Sequence, residues 1–234
     1  MHTTGIGIVF SRGRGIASFK KAINEGWRES HQEISMANTI ISDKTVLKEA
    51  RRADNFTKMA VLAAHDAFFD SGLGAEAKGS LGIILATAFG PHVTNFRFLD
   101  DILTYGDRGV SPTLFSHSVH NAAVSYIASN LESHGPTLTV TQFADSFSQA
   151  LLIAQSWLEE KRCTNILVGS VDQLGKEMEY ILTAKAPELK PKEGSVFFML
   201  TNKEDKNKYP AISDNAYNTA NASSFDYAIN ILHL

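Results

Sequence analysis

Cysteine is nearly absent. Cys163 stands alone in 234 residues, which excludes an internal disulfide framework and fits a reducing cytoplasm. Charge is sparse and balanced: charged residues make up 20%, the net charge is −3 and no basic stripe stands out, so a nucleic-acid partner is not expected. No apolar run is long enough to span a bilayer and the N-terminus lacks a signal-peptide pattern, so no membrane partner is expected and the location expected is cytoplasmic. There is no internal repeat and no heptad array. The glycines of Ser11-Arg12-Gly13-Arg14-Gly15 lack both the Walker Lys-Ser/Thr and the dinucleotide spacing, which leaves a plain turn and implies no cofactor. With 44% hydrophobic residues, the chain can bury a large core in one domain or two small ones.

What is present centres on residues 137–151. After Gly135-Pro136, Thr137 to Thr141 alternates, with Leu138 and Val140 on one side and three threonines on the other, the period of a strand. From Ser146 the period becomes helical, with Phe147, Ala150, Leu151, Ala154 and Leu158 on one stripe. Ser146 and Gln149 have capping-box spacing. A strand therefore turns sharply into a helix near residues 143–146, beside backbone N–H groups that favour an anion.

The remaining elements follow from pattern. Gly5 to Phe10 reads as a buried strand, with a helix over Ile16 to Glu25 after the glycine turn. Residues 34–48 read as a loop. Glu49 to Ser71 reads as a helix carrying His65 as a surface or capped histidine, stopped by Gly72. Gly82 to Thr87 is continuously apolar, as in a sheet covered on both faces. Val93 to Tyr105 reads as a helix with Phe98, Leu99, Ile102 and Leu103 on one side, and spacing alone points that side at the core. His117 and His120 have metal-compatible HxxH spacing, but no Cys or carboxylate ligand accompanies them, so no metal is expected. Cys163 to Ser170 and Glu193 to Leu200 read as further strands. Tyr209 to Ile212 reads as an edge strand, and residues 213–234 as a last strand or a docking tail. Strands alternate with helices, so the class expected is α/β with a largely parallel mixed sheet covered by helices.

Several stretches resemble β-ketoacyl synthases of the thiolase-like family. Val140-Thr141-Gln142-Phe143-Ala144-Asp145-Ser146 resembles the nucleophile turn, with Ala144 at the position of the family cysteine. Arg51-Arg52-Ala53-Asp54-Asn55-Phe56 is similar to the family's Arg-Arg-Met-Asp-Arg-Phe, and Ser111-Pro112 through Asn121 to its Ser-Pro…Asn loop. The resemblance covers roughly residues 5–212, read as one ketosynthase-like domain (1–212) followed by a tail (213–234). A full ketosynthase has two such halves, and its two active-site histidines come from the second. The expectation is a chain with neither the thiolate nor that histidine pair, and so without catalysis of its own.

That combination is most similar to the chain length factors of type II polyketide synthases, in their short aryl polyene form. The resemblance implies a heterodimer with a full-length catalytic ketosynthase, transient contact with an acyl carrier protein, and a tunnel wall that shapes the growing acyl chain. Asn95, Phe98, Leu99, Ile102, Phe115, His120, Thr139 and Phe143 are the tunnel or interface candidates it implies. Two alternatives stand beside it. One is an acyl-transfer enzyme using Ser146 or Ser148, although nothing nearby in sequence declares a base. The other is a homodimeric module that binds an acyl chain or carrier protein.

Overall fold

A computed structural model describes residues 1–27, 43–143, 145–185, 192–203, 208–210 and 223–234. In chain order the elements are β1 (His2–Phe10), β2 (Gly13–Arg14), α1 (Ile16–Asn24), α2 (Asn55–Asp70), β3 (Gly82–Thr87), α3 (His92–Tyr105), α4 (Pro112–His117), α5 (Ala122–Asn130), β4 (Thr137–Thr141), α6 (Ser146–Glu159), β5 (Asn165–Asp172), α7 (Lys176–Lys185), β6 (Gly194–Thr201) and α8 (Ser224–Leu232). Two short 3-10 turns lie at Ala75–Ser80 and Asp107–Gly109.

One sheet runs in the order β2-β1-β6-β5-β3-β4. Period-2 alternation splits its side chains between two cores. Ile83, Leu85, Leu167, Phe197 and Met199 face a layer that contains Ala60, Ala63 and Ala67 of α2 and Ile127 of α5. Ile84, Ala86, Val168, Phe198 and Leu200 face the other layer, with Phe19 of α1, Phe147 and Ala150 of α6, and Phe225 and Ala228 of α8. The α/β class expected from sequence therefore holds, in three layers. Each large side chain buried in this way contributes about 1.5–3 kcal/mol.

Close packing on the first face depends on two glycines of β1. A Cβ on Gly7 would stand 1.9 Å from the Ala63 carbonyl oxygen, and one on Gly5 2.1 Å from that of Ala67. Only hydrogen fits there, so the α2 backbone lies directly on the strand. The outer edge of β1 is occupied along its length. Thr3 O accepts from Tyr209 N, Ile6 N donates to the Asp70 carboxylate, Ile8 O accepts from Gly15 N, and Val9 and Phe10 pair with β2.

Four sequence expectations need correction. The sheet is mixed but not largely parallel: β4 and β5 flank β3 in parallel, whereas the β1–β2, β1–β6 and β5–β6 pairs are antiparallel. The helix expected from Glu49 starts at Asn55, because the Asp54 side chain accepts from Thr57 N at 2.9 Å and caps it there, which leaves Arg51 and Arg52 exposed in the preceding turn. The last strand offered for the tail is the helix α8, started by a capping box in which Ser223 Oγ accepts from Asp226 N and Asp226 accepts from Ser223 N. Residues 208–210 are not a strand, although Tyr209 lies on the sheet border. Residues 34–42, 211–212 and the 212/213 boundary lie outside the described residues.

Candidate functional site

The carboxyl ends of the parallel strands β3, β4 and β5 converge on one side of the sheet, where open α/β sheets commonly place ligands. Asp172 ends β5 and organises the corner. It accepts from Thr87 Oγ1 at 2.8 Å, Ala88 N at 2.9 Å and Phe89 N at 3.1 Å. Burial pushes its carboxyl up to about 7, and these donors only partly oppose that. The turn that it anchors continues through Gly90, at φ 63°, where the His120 ring leaves no room for a side chain. His92 follows, only 7% exposed. Burial lowers its basicity, against smaller pulls from the Gly90 carbonyl and the Glu177 carboxylate. His92 packs edge-on to Phe89 at 6.1 Å, and Phe89 lies 6.2 Å from Phe143.

Phe143 belongs to the β4–α6 turn and is 81% exposed. Ala144, the position aligned with the family cysteine, lies outside the described residues. Asp145 adopts the left-handed conformation at φ 62°, an uncommon state for a non-glycine residue that reverses the chain abruptly into α6. The strand–turn–helix read from the sequence is thus present, but its cap differs. Asp145 takes the N-cap position, its carbonyl accepting from Gln149 N, and no side-chain cap forms. Ser146 is the first helical residue instead of the cap. Both Ser146 and Ser148 are buried, and Ser148 Oγ has no partner among the described residues. Among the described residues no histidine or carboxylate hydrogen-bonds to either serine.

β4 is the last strand of the sheet. Ile83 N donates to Pro136 O and Gln142 N donates to Thr87 O, so the even-numbered residues of β4 turn their backbone groups toward β3. Thr137, Thr139 and Thr141 turn theirs outward, along an edge with neither charge nor proline.

The helix α3 does not direct its apolar side at the core. Its buried residues are His92 and Thr94, the latter donating to Asp54 at 2.6 Å. Leu99, Ile102 and Leu103 are exposed, Leu103 to 84%. Phe98 is half-buried and pairs with exposed Phe115 of α4 at 5.8 Å. Asn95 is half-buried, His120 is exposed, and Thr139 sits mid-edge in β4. The candidates therefore gather as two ring pairs, Phe98–Phe115 and Phe89–Phe143, with His120 over Gly90. Phe89 and His92 escaped the sequence reading, although their place just after an apolar strand marked them as loop residues at its carboxyl end. His117 is buried, its Nδ1 2.7 Å from Thr113 O and its Nε2 3.0 Å from Tyr126 Oη. Among the described residues no group of three His, Cys, Asp or Glu side chains could hold a metal, and no helix is long and apolar enough to cross a membrane.

The mixed sheet between helical layers, with a sharp strand-to-helix turn at its border, is that of the thiolase-like ketosynthases. The sequence profile of the family described as β-ketoacyl synthase, N-terminal domain, matches residues 26–211. The chain belongs to that family. Similar solved structures include the ishigamide ketosynthase/chain length factor (20% identity, TM-score 0.71, covering 89% of this chain and 64% of that one). A β-ketoacyl synthase from Burkholderia phymatum is similar over 87% of this chain and 59% of its own (17% identity, TM-score 0.69). The ketosynthase ApeO in complex with its chain length factor ApeC, from Xenorhabdus doucetiae, is similar over 86% of this chain and 78% of that one (15% identity, TM-score 0.64). At such identities the likeness establishes the fold, and the chain spans less than two thirds of the length of the first two. Among curated proteins none matches in sequence.

Proposed function

We propose that this chain is a non-catalytic ketosynthase-like subunit, a chain length factor in kind, which pairs with a full-length catalytic ketosynthase and helps enclose the acyl chain that its partner extends. One observation carries the reading: the sheet ends in an uncharged strand, β4, whose outer edge pairs with no strand among the described residues, and the exposed apolar surface of α3 and α4 belongs to the same chain. An edge of Thr and Val without charge or proline is suited to pairing with another strand. In this reading two such strands run antiparallel across an axis, Phe115 and Phe143 supply apolar contact, and an obligate interface buries more than about 2,000 Å². Asn95, Phe98, Leu99, Ile102 and His120 would then border the acyl tunnel.

The non-catalytic part rests on the sequence at Ala144, whose methyl group cannot attack a thioester. Ser146 and Ser148 make poor substitutes, being buried and without a base among the described residues. Polyketide synthesis, and the aryl polyene pathway within it, is the finer part of the reading. The ketosynthase/chain length factor pairs among the similar structures support the pairing, and the aryl polyene pathway rests on the sequence resemblance alone. An acyl carrier protein visits transiently, and the assembly works in the cytoplasm, in keeping with one buried free thiol.

Co-expression with a full-length ketosynthase should give a stable one-to-one complex whose product length changes when this chain is omitted. Labelled acyl groups should attach to the partner alone. Covalent labelling of this chain during turnover, or the same product length without it, would overturn the proposal. A homodimer indifferent to added ketosynthase would point to an acyl-binding module instead.

A further inference from the structure

Among the described residues, two buried polar atoms on α3 have no hydrogen-bond partner: His92 Nε2 and Asn95 Oδ1. Three residues apart, they share one face of the helix. The same face continues outward through Leu99 and Ile102, both exposed, so it is polar at the sheet end and apolar beyond. His92 sits between rings, edge-on to Phe89 at 6.1 Å and to Phe96 at 6.5 Å. Its Nδ1 lies 3.4 Å from the Gly90 carbonyl oxygen. With the imidazole hydrogen assigned to that contact, Nε2 is a bare acceptor.

No donor among the described residues pairs with either atom. The charged neighbour acting on the ring is the Glu177 carboxylate, itself an acceptor. Gly175 keeps bulk away, since a Cβ there would stand 3.7 Å from Nε2 and 2.7 Å from Val93. A buried acceptor left unpaired is destabilising, and a ligand that brings a donor offsets that cost. A purely hydrocarbon chain has none to bring.

We infer that His92 and Asn95 make this surface selective for acyl chains that carry a hydroxyl group, whose O–H donates to His92 Nε2 or Asn95 Oδ1 while the hydrocarbon lies along Leu99 and Ile102. The inference rests on the tunnel-forming role proposed above and names the substrate class for it. His92 acts as a specificity residue and takes no part in bond making.

The test uses the complex with a catalytic ketosynthase and two carrier-bound probes, decanoyl and ω-hydroxydecanoyl thioesters. The unmodified complex should elongate the hydroxylated probe with a kcat/KM about tenfold higher or more. His92→Leu and Asn95→Leu should each lower that ratio, the double variant should bring it near one, and His92→Gln, which restores an acceptor, should retain most of it. A ratio near one in the unmodified complex overturns the inference. So does an unchanged ratio in His92→Leu that still co-elutes with the ketosynthase. Should His92→Leu not fold, the Asn95→Leu ratio decides. If no complex forms, the pairing proposal fails on its own, and the inference is read on the chain alone by nitrogen-15 histidine NMR. A His92 Nε2 shift with ω-hydroxydecanoate and not with decanoate supports it, and an equal or absent response to both overturns it.

Discussion

Replacing Thr139 with proline separates the pairing of β4 from its folding. The N–H of Thr139 points away from β3, because the bonds from Ile83 N to Pro136 O and from Gln142 N to Thr87 O assign the inward groups to the even residues. Proline at such an edge position removes no ladder bond of this chain's own sheet. Toward a partner strand it has two effects. One of the three outward N–H groups, the central one, is lost, worth about 1 kcal/mol net, and the opposing carbonyl is left buried without a donor, at about 1–3 kcal/mol. Together these weaken pairing by about 30-fold to 1,000-fold in Kd, while the melting temperature of the isolated chain should move by only a few degrees. Calorimetric titration with the ketosynthase, alongside light scattering, reads both quantities. Leu138→Pro serves as the contrast, since its N–H faces β3 and its loss should destabilise the chain itself. Undiminished affinity of Thr139→Pro for the ketosynthase would refute the assignment of β4 as the pairing edge.

Other outcomes follow from the same geometry. Phe225→Ala removes a ring that packs 6.1 Å from Phe19 and fills the space over Gly194, and should cost about 3–5 kcal/mol in chemical denaturation. Gly7→Ala drives a methyl into the α2 backbone at Ala63 and should cost about 3 kcal/mol or more, or prevent folding, as judged by soluble yield and denaturation. Burial raises the folded-state values of Asp172 to about 7 and of Glu193 to about 8, from 3.8 and 4.5. The folded state therefore holds more protons than the unfolded chain between about pH 4 and pH 8, and stability should fall as pH rises through that window. Asp172→Asn and Glu193→Gln should each flatten that slope by a few kcal/mol across the window, on the order of 1.4 kcal/mol for every tenfold change in the acidity of the buried carboxyl. Denaturation midpoints at a series of pH values will measure the change.

Where side chains alternate or repeat against a continuous core, pattern and structure agree. Ile83-Ile84-Leu85-Ala86 reads as a strand covered on both faces, and that is its place in β3. The errors arise where local pattern meets something distant. Tyr227, Ile229 and Ile231 alternate like a strand, yet Phe225, Ala228 and Ile231 are the stripe that packs. The Ser223–Asp226 box that starts the helix was legible but unread. The apolar side of α3 has the spacing of a core-facing helix, and spacing cannot tell a core from a surface reserved for another molecule. Asp54 fixed the start of α2 through a side-chain cap that the continuous helical pattern masked. The β4–α6 turn was legible because two periods change within a few residues. The Phe89–His92 corner was not, since it depends on Asp172, 85 residues from Thr87 in the chain.

The two borders of the sheet are not equivalent. On the β1 side the backbone is engaged by Tyr209, by Asp70, by Gly15 and by β2, while on the far side no strand among the described residues pairs with the outer edge of β4. A slab with one sealed rim and one open rim has a valence of one. In the proposed pairing it accepts a single neighbour strand to strand, and that union uses up the rim left open among the described residues. Growth into fibres, the hazard of any naked β edge, would stop at two members in that pairing.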